Sequence, residues 1–394
     1  MDPNYRRHAR RAGLIVADPE RFTVHRTRAG TAGGRPSFRF RDRKTGRSPG
    51  RNVTKAIRSL GIPPAWEDVR CASDPRAHIL AVGTDGSGRR QYVYNPAWER
   101  VREAIKAERL LRFGRALPRI RARVERDLRR NASARRPDRL VPHLLSRLAA
   151  PLAARLVDRA AMRPGNEAYA AAGTRGATTL RAGDVSVNGD TVRLHYVGKG
   201  GREHEVSLRD AAAARALGAL RRTRTQGTRA RATTARGAKR GSGGGSGGGA
   251  RARGRGTAAS RARLFAGRAP DGTPQRLTAA RLNRYLAEAA GEAVSAKDFR
   301  TFHGSARALA VLHERRGADT PHARRAAVAE ASRAASERLR NTPAVARASY
   351  VLPSIVAAFE AGELPDGLMR GRTRRGLDRA ETALMRHMEA VVRG

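Results

Sequence analysis

The chain has 394 residues, enough for two or three domains with a real buried core, and carries a net charge of +46. That field attracts polyanions, chiefly nucleic acid, although an Arg/Ala/Gly bias imposed by a GC-rich genome would give the same sign. The lone Cys71 excludes an intramolecular disulfide and a cysteine-based zinc site; the start has no signal-peptide apolar region, and no apolar run approaches the ~20 residues of a membrane span, so a soluble cytoplasmic protein is expected.

Residues 1–115 read as a small β-rich domain. Phe22–His25, Ser37–Phe40, His78–Ala81 and Gln91–Tyr94 are short alternating runs, the last two flanking a turn, Thr84–Arg90, that ends in two cations. Ile62-Pro63-Pro64-Ala65-Trp66 lies between them; Trp66 and Trp98 read as packing residues. Tyr92 and Tyr94 fall on one face, where one is expected to pack and the other to be free for a phosphate.

From about 116 the pattern turns mostly helical, and residues 116–362 read as a larger domain. Leu140, Leu144, Leu145, Leu148, Leu152 and Leu156 recur at three- and four-residue steps, a helical stripe that Pro151 can bend. A three-stranded meander follows: Asp184–Val187 and Thr191–Tyr196 flank Asn188-Gly189, and Gly198-Lys199-Gly200-Gly201 turns into Glu203–Leu208, putting Lys199 on a hairpin tip. Residues 221–263 hold twelve Arg, one Lys and no acid among Gly-rich repeats, and read as a disordered insertion. The tract carries +13 of the total charge and leaves +33 on the rest, so the basic character is not a tail effect. Helices resume over Leu277–Ala290, stopped by Gly291. One opens at the Ser295–Asp298 capping box and carries Arg300 in its second turn, and another runs from about Ala323 to Leu339. Thr342-Pro343 reads as N-cap and first residue of a short helix ending near Tyr350, and residues 363–394 as a helical tail with Leu377, Leu384, Met388 and Val391 on one face.

Only six lysines survive in a chain that uses Arg almost everywhere: Lys44, Lys55, Lys106, Lys199, Lys239 and Lys297. Arg does not give up a proton near neutral pH and Lys does, so each retained Lys is a candidate for proton transfer. A metal-free transesterification at a phosphodiester needs a hydroxyl nucleophile, two or more cationic donors for the non-bridging oxygens, and a proton donor for the leaving oxygen. Tyr350, the pair Arg163 and Arg300, and Lys199 fill those roles, and Asn341 can hydrogen-bond a non-bridging oxygen. Each of these residues alone is ordinary: a partly buried tyrosine, surface cations, turn residues. Together they have a single chemical purpose. His303, one turn past Arg300, reads as structural.

Gly88–Tyr94, Gly165-Asn166-Glu167 with Tyr169, Ala296–Thr301 and Asn341–Val345 before Tyr350, with Ile62–Trp66, form an ordered set spanning most of residues 14–362. The set resembles the type IB topoisomerase family, and its bacterial branch related to the poxvirus enzymes most closely. The resemblance implies an α+β protein in which a β-rich N-terminal domain and a mostly α-helical catalytic domain with a three-stranded meander form a C-shaped clamp on duplex DNA. It implies a 3′-phosphotyrosyl intermediate at Tyr350, strand rotation and religation by a nucleoid-associated monomer, with no metal, ATP or other cofactor. It further implies DNA contacts by Arg89, Arg90, Gln91, Tyr92, Tyr94, Tyr169 and Lys297. Three departures stand out. Asn341 occupies the place of a His in the poxvirus-type and eukaryotic enzymes, Phe302-His303-Gly304 replaces an aromatic-Ala-Gly sequence, and Gly88-Arg89-Arg90 replaces Gly-Arg-Lys. Two rivals remain. Tyrosine recombinases share the Arg–Lys–Arg–Tyr chemistry but carry His where Lys297 stands, and a non-enzymatic Arg-rich DNA-packaging protein would need the charge but neither Lys199 nor Tyr350.

Overall fold

The computed structural model describes residues 3–32, 35–132, 141–221, 258–268 and 273–393. Most of the Arg/Gly-rich tract, and Leu140 of the helical stripe, lie outside the described residues. The described residues fall into two compact units divided between Arg109 and Leu110.

The first unit begins with α1 (Pro3–Arg11) and continues through β1 (Val24–Ala32), β2 (Arg35–Asp42), α2 (Arg51–Ser59), β3 (Glu67–Cys71), β4 (Ile79–Thr84) and β5 (Arg90–Tyr94). The five strands form one antiparallel sheet in the order β2-β1-β3-β4-β5. Val24, Phe40, Val69, Cys71 and Ala81 bury one face against Ile57 of α2, with Trp66 and Val93 packed at the margin. Trp98 anchors a second cluster with Ala9, Leu14 and Val101. Burial pushes the Cys71 thiol up to about 12, so it behaves as a small core hydrophobe.

The division falls inside α3 (Ala97–Ala132), which begins well before the helical pattern was expected near 116. Then come α4 (Val141–Arg159), α5 (Glu167–Ala171), β6 (Val185–Asn188), β7 (Thr191–Val197), β8 (Glu203–Arg209) and α6 (residues 211–221). After the tract follow α7 (Ala258–Arg261), β9 (Ala266–Arg268), β10 (Pro274–Arg276), α8 (Ala279–Ala290), α9 (Ala296–Glu314), α10 (Pro321–Leu339), α11 (Pro343–Tyr350), α12 (Pro353–Glu360) and α13 (Arg379–Arg393). The fold is α+β, a β-rich N-terminal sheet followed by a mostly helical region containing the three-stranded antiparallel meander β6-β7-β8.

One large core fills the second unit. Leu148, Leu152 and Leu156 of α4 are fully buried, as the stripe required, and Pro151 sits within that helix. Alternate residues of β7, Val192, Leu194 and Tyr196, face the same core. Helix α9 is buried along nearly its whole length and is the central element. Its capping box closes as the sequence demanded, with Asp298 accepting from the Ser295 backbone at 2.7 Å. Of the C-terminal stripe, Leu384 and Met388 are fully buried and Leu377 is buried just before α13, whereas Val391 in the last turn is exposed.

Candidate active site

The site is built at the C-terminus of α4, where helix geometry leaves backbone carbonyls without partners. Arginines take four of them in a row. Arg338 donates to the Asp158 and Arg159 carbonyls, both at 3.1 Å, Arg340 to Ala160, and Arg300 to Ala161. The negative end of the helix dipole thus holds Arg300 where a buried guanidinium would otherwise be costly. Arg300 is 2% exposed, donates a second bond to the Leu339 carbonyl at 2.9 Å, and keeps its Nε–H without a partner. Two non-glycine residues beside it lie in the left-handed region, Ala161 at φ 48° and Arg340 at φ 52°. Each costs about 1–3 kcal/mol and persists because the surrounding bonds over-determine it.

Tyr350 ends α11. Thr342 caps that helix by accepting from Val345, and Pro343 takes the first position, as the sequence predicts. The ring is 7% exposed, packed against Ala161 and Leu339. Gly304 of α9 makes the approach possible: a Cβ there would lie 2.9 Å from the Tyr350 carbonyl and 3.2 Å from its Cβ. Ser305 fixes the same carbonyl with a 3.1 Å bond.

Arg163 follows α4 on a loop pinned by the segment after α5. Ala177 donates to the Arg163 carbonyl and Thr178 to that of Pro164, both at 2.8 Å. Gly165, at φ 101°, and Gly176 lie back to back, and a Cβ on Gly176 would fall 2.5 Å from the Gly165 Cα. Asn166 accepts from Ala168 and opens α5. So held, Arg163 Nη1 donates to the Tyr350 hydroxyl at 3.2 Å, while the Arg300 guanidinium lies 4.9 Å from the tyrosine ring centre. Burial pushes the Tyr350 hydroxyl up, but the charge and hydrogen bonding of Arg300 and Arg163 outweigh it and hold it below the ordinary tyrosine value.

Lys199 occupies the β7–β8 tip, with Gly200 at φ 83° and Gly201 at φ 74° beside it. It is exposed, and its Nζ lies 5.4 Å from the centre of the Tyr169 ring, itself 53% exposed. A Cβ on Gly198 would be 2.4 Å from the His204 ring, so a glycine lets the hairpin close over His204, whose ring packs at a tilt against Tyr196, 5.2 Å between centres. Burial, and then the charges of Arg340 and Arg163, hold His204 below its ordinary value and so neutral.

Arg163, Lys199, Lys297, Arg300, Tyr169 and Tyr350 line one open pocket. Asn341 does not line it; both its amide atoms are buried and have no hydrogen-bond partner. Arg175 and Thr179 line the pocket and were not singled out in sequence: Arg175 is one arginine among many, and nothing local marks it. Among the described residues no group of three or more His, Cys, Asp or Glu is arranged to hold a metal.

The remaining expected DNA contacts lie in the first unit. Arg89 is exposed. Arg90 is ion-paired to Glu20, and Gln91 donates to Asp85 at 2.7 Å. Tyr92 and Tyr94 are both exposed, at 38% and 42%, with ring centres 6.0 Å apart, so neither packs into the core as one was expected to. Val93, on the opposite face of β5, does the packing.

Comparison with known proteins places this arrangement. Residues 95–229 and 255–355, well over half the chain, match the family described as eukaryotic DNA topoisomerase I, catalytic core, which defines the class of enzyme. Residues 37–85 match the N-terminal domain of bacterial DNA topoisomerase IB. The chain belongs to the type IB DNA topoisomerase family, in its bacterial form. It is also 26% identical over 302 residues to the DNA topoisomerase 1B of Acanthamoeba polyphaga mimivirus, covering 75% of this chain and 76% of that one. These matches favour neither rival reading, recombinase or packaging protein. No helix among the described residues is long and apolar enough to cross a membrane.

Proposed function

We propose that the chain relaxes supercoiled duplex DNA by transient cleavage of one strand through Tyr350, without metal, ATP or another cofactor. The observation that carries this reading is the hydroxyl of Tyr350, hydrogen-bonded by Arg163 and facing the Arg300 charge. The Tyr350 oxygen attacks the scissile phosphorus in line and its proton passes to water. The phosphorus–5′-oxygen bond breaks, and Lys199 gives a proton to the departing oxygen. Arg163 and the unpartnered Nε–H of Arg300 take up charge on the non-bridging oxygens as it builds. Asn341, which does not line the pocket, would supply a hydrogen bond to a non-bridging oxygen once its partnerless amide turns toward the bound phosphate. The product is a 3′-phosphotyrosyl bond. The free 5′ end rotates, and attack by the 5′ hydroxyl reverses the step.

Lys297, Tyr169, Arg89, Arg90, Gln91, Tyr92 and Tyr94 contact the duplex, on which the enzyme acts as a cytoplasmic monomer. We place the functional domains at 1–115 and 116–362, a junction inside α3 just past the division at Arg109, with the 221–263 tract adding sequence-independent affinity and 363–394 following as the C-terminal segment. Supercoiled plasmid incubated with the protein in EDTA without ATP tests the reading. Complete relaxation, abolished by Tyr350→Phe, is expected; relaxation that needs magnesium, or that survives the substitution, overturns it.

A further inference from the structure

Away from the pocket, four charged side chains from four elements meet in the core of the second unit. Arg121 of α3 donates from Nε and Nη2 to both oxygens of Asp158 on α4, each at 2.9 Å. It donates from Nη1 and Nη2 to both oxygens of Glu381 on α13, each at 2.8 Å, and again from Nη1 to the Gly376 carbonyl at 2.7 Å. All of its N–H groups are therefore used. His303 of α9 closes the ring, with Nε2 3.0 Å from Asp158 and Nδ1 3.5 Å from Glu381. Asp158, His303 and Glu381 are all under 9% exposed. Burial opposes a proton on His303, but its bonds to Asp158 and Glu381 outweigh it and hold the imidazole above its ordinary value; with that proton in place, two carboxylates, the guanidinium and the imidazolium sum to zero.

None of the four lines the pocket, yet the ring ties together both supports of Arg300. His303 lies one helical turn beyond Arg300 on α9. Asp158 lies one turn before Ala161, whose carbonyl accepts from Arg300. The fourth member, Glu381, comes from α13, beyond residue 355, where the match to the catalytic core ends. Helix α13 is fitted to this place. At its start the Glu381 N–H donates to the Asp378 carboxylate at 2.8 Å and the Asp378 N–H to the Glu381 carboxylate at 3.0 Å, a reciprocal pair that helps aim Glu381 inward. A Cβ on Gly114 of α3 would lie 2.2 Å from the Met385 sulfur and 2.7 Å from the Phe302 ring, so a glycine there lets Met385 of α13 and Phe302 of α9 pack in place.

We propose that Glu381 is a positioning residue for the cleavage reaction: through Arg121, Asp158 and His303 it fixes α4 against α9 and so sets where Arg300 points, making the C-terminal helix part of the catalytic apparatus. This rests on the reading of Arg300 as a phosphate clamp. Removing the Glu381 charge leaves Arg121 half-paired and the ring with a net buried charge, and the two supports of Arg300 are no longer tied.

The test is a double-mutant cycle on the full chain. Single-turnover formation of the covalent DNA adduct is measured for wild type, Glu381→Gln, Arg300→Lys and the double variant, with DNA affinity and melting temperature recorded for each. Glu381→Gln is expected to slow adduct formation about tenfold at unchanged DNA affinity, and to slow it less than about twofold when Arg300 is already Lys. Equal slowing in both backgrounds, or none in either, overturns the proposal, since a merely structural role is blind to residue 300. Should Glu381→Gln not fold, the same cycle is run with His303→Gln, which retains a bond to Asp158, and the same outcomes decide. Absence of any wild-type adduct would instead overturn the nucleophile reading itself, so the two failures are distinguishable.

Discussion

The two walls of the pocket differ in how much of their geometry is fixed before DNA arrives. On one side Tyr350 and Arg300 are buried, and every turn of chain that carries them is bonded to another element. By contrast Lys199 and Tyr169 stand exposed, Lys199 between glycines at a hairpin tip, as does Lys297 at the start of α9. The buried wall holds charge that must be in place as the transition state forms, and preorganised donors are worth most where water is excluded. The exposed residues are where a duplex, too large to enter a closed pocket, would be met under the proposed function. In the proposed reaction Lys199 donates its proton from an exposed, glycine-flanked tip, where an ammonium group stays solvated and costs the fold little.

Substitutions on the two walls should therefore separate rate from stability. Tyr350→Phe should have the largest effect, lowering adduct formation by about 10⁴-fold or more with DNA affinity retained, measured on a nicked suicide substrate and by gel shift. Arg300→Ala should lower the rate by about 10²–10³-fold and also lower the melting temperature, because the Ala161 and Leu339 carbonyls lose their partner at about 1–3 kcal/mol each. Lys199→Ala should slow cleavage about 10²-fold with no change in melting. Its defect should vanish on a substrate whose 5′ bridging oxygen is replaced by sulfur, which leaves without a proton; a persistent defect would remove Lys199 from the general-acid role. Asn341→Ala should have the smallest effect on rate, about tenfold, and should not destabilise the fold, since it deletes two buried amide atoms that have no partner.

pH offers a further contrast. Because Arg300 and Arg163 hold the Tyr350 hydroxyl below the ordinary value of 10.0, its phenolate, the nucleophile of the proposed reaction, forms at lower pH than in a free tyrosine. Cleavage of the sulfur-bridged substrate, which does not depend on Lys199, should rise with pH and level off below pH 10. Arg163→Ala should move that inflection upward; an inflection that stays put would mean that Arg163 does not tune the nucleophile.

Much of the second unit was legible in the sequence because its signals are local. The Asn188-Gly189 turn, the Ser295–Asp298 box, the Gly291 stop and Thr342-Pro343 each specify a boundary from a few neighbouring residues, and the structure uses all of them. The conjunction of Arg163 with Tyr350 was legible only through chemistry, since 187 residues separate the two. What escaped depends on partners far off in the chain. Glu67–Cys71 has only Val69 and Cys71 as apolar residues, too short an alternation to announce a strand, and becomes one because β1 and β4 flank it. The left-handed turn at Arg340 carries no glycine to announce it. The Arg121–Asp158–His303–Glu381 ring is invisible one element at a time, because each member alone reads as a solvated charge and burial follows only when all four meet. Tyr92 and Tyr94 mislead in the opposite direction, aromatics in a strand whose exposed face they occupy.

The most direct measurement is to trap the adduct on a nicked duplex that loses its 5′ segment after cleavage, digest the protein, and locate the attached nucleotide by mass spectrometry. We expect a single modified peptide carrying the nucleotide on Tyr350 through a 3′ phosphate. Attachment to any other residue, or through a 5′ phosphate, would contradict the assignment of Tyr350 as the nucleophile.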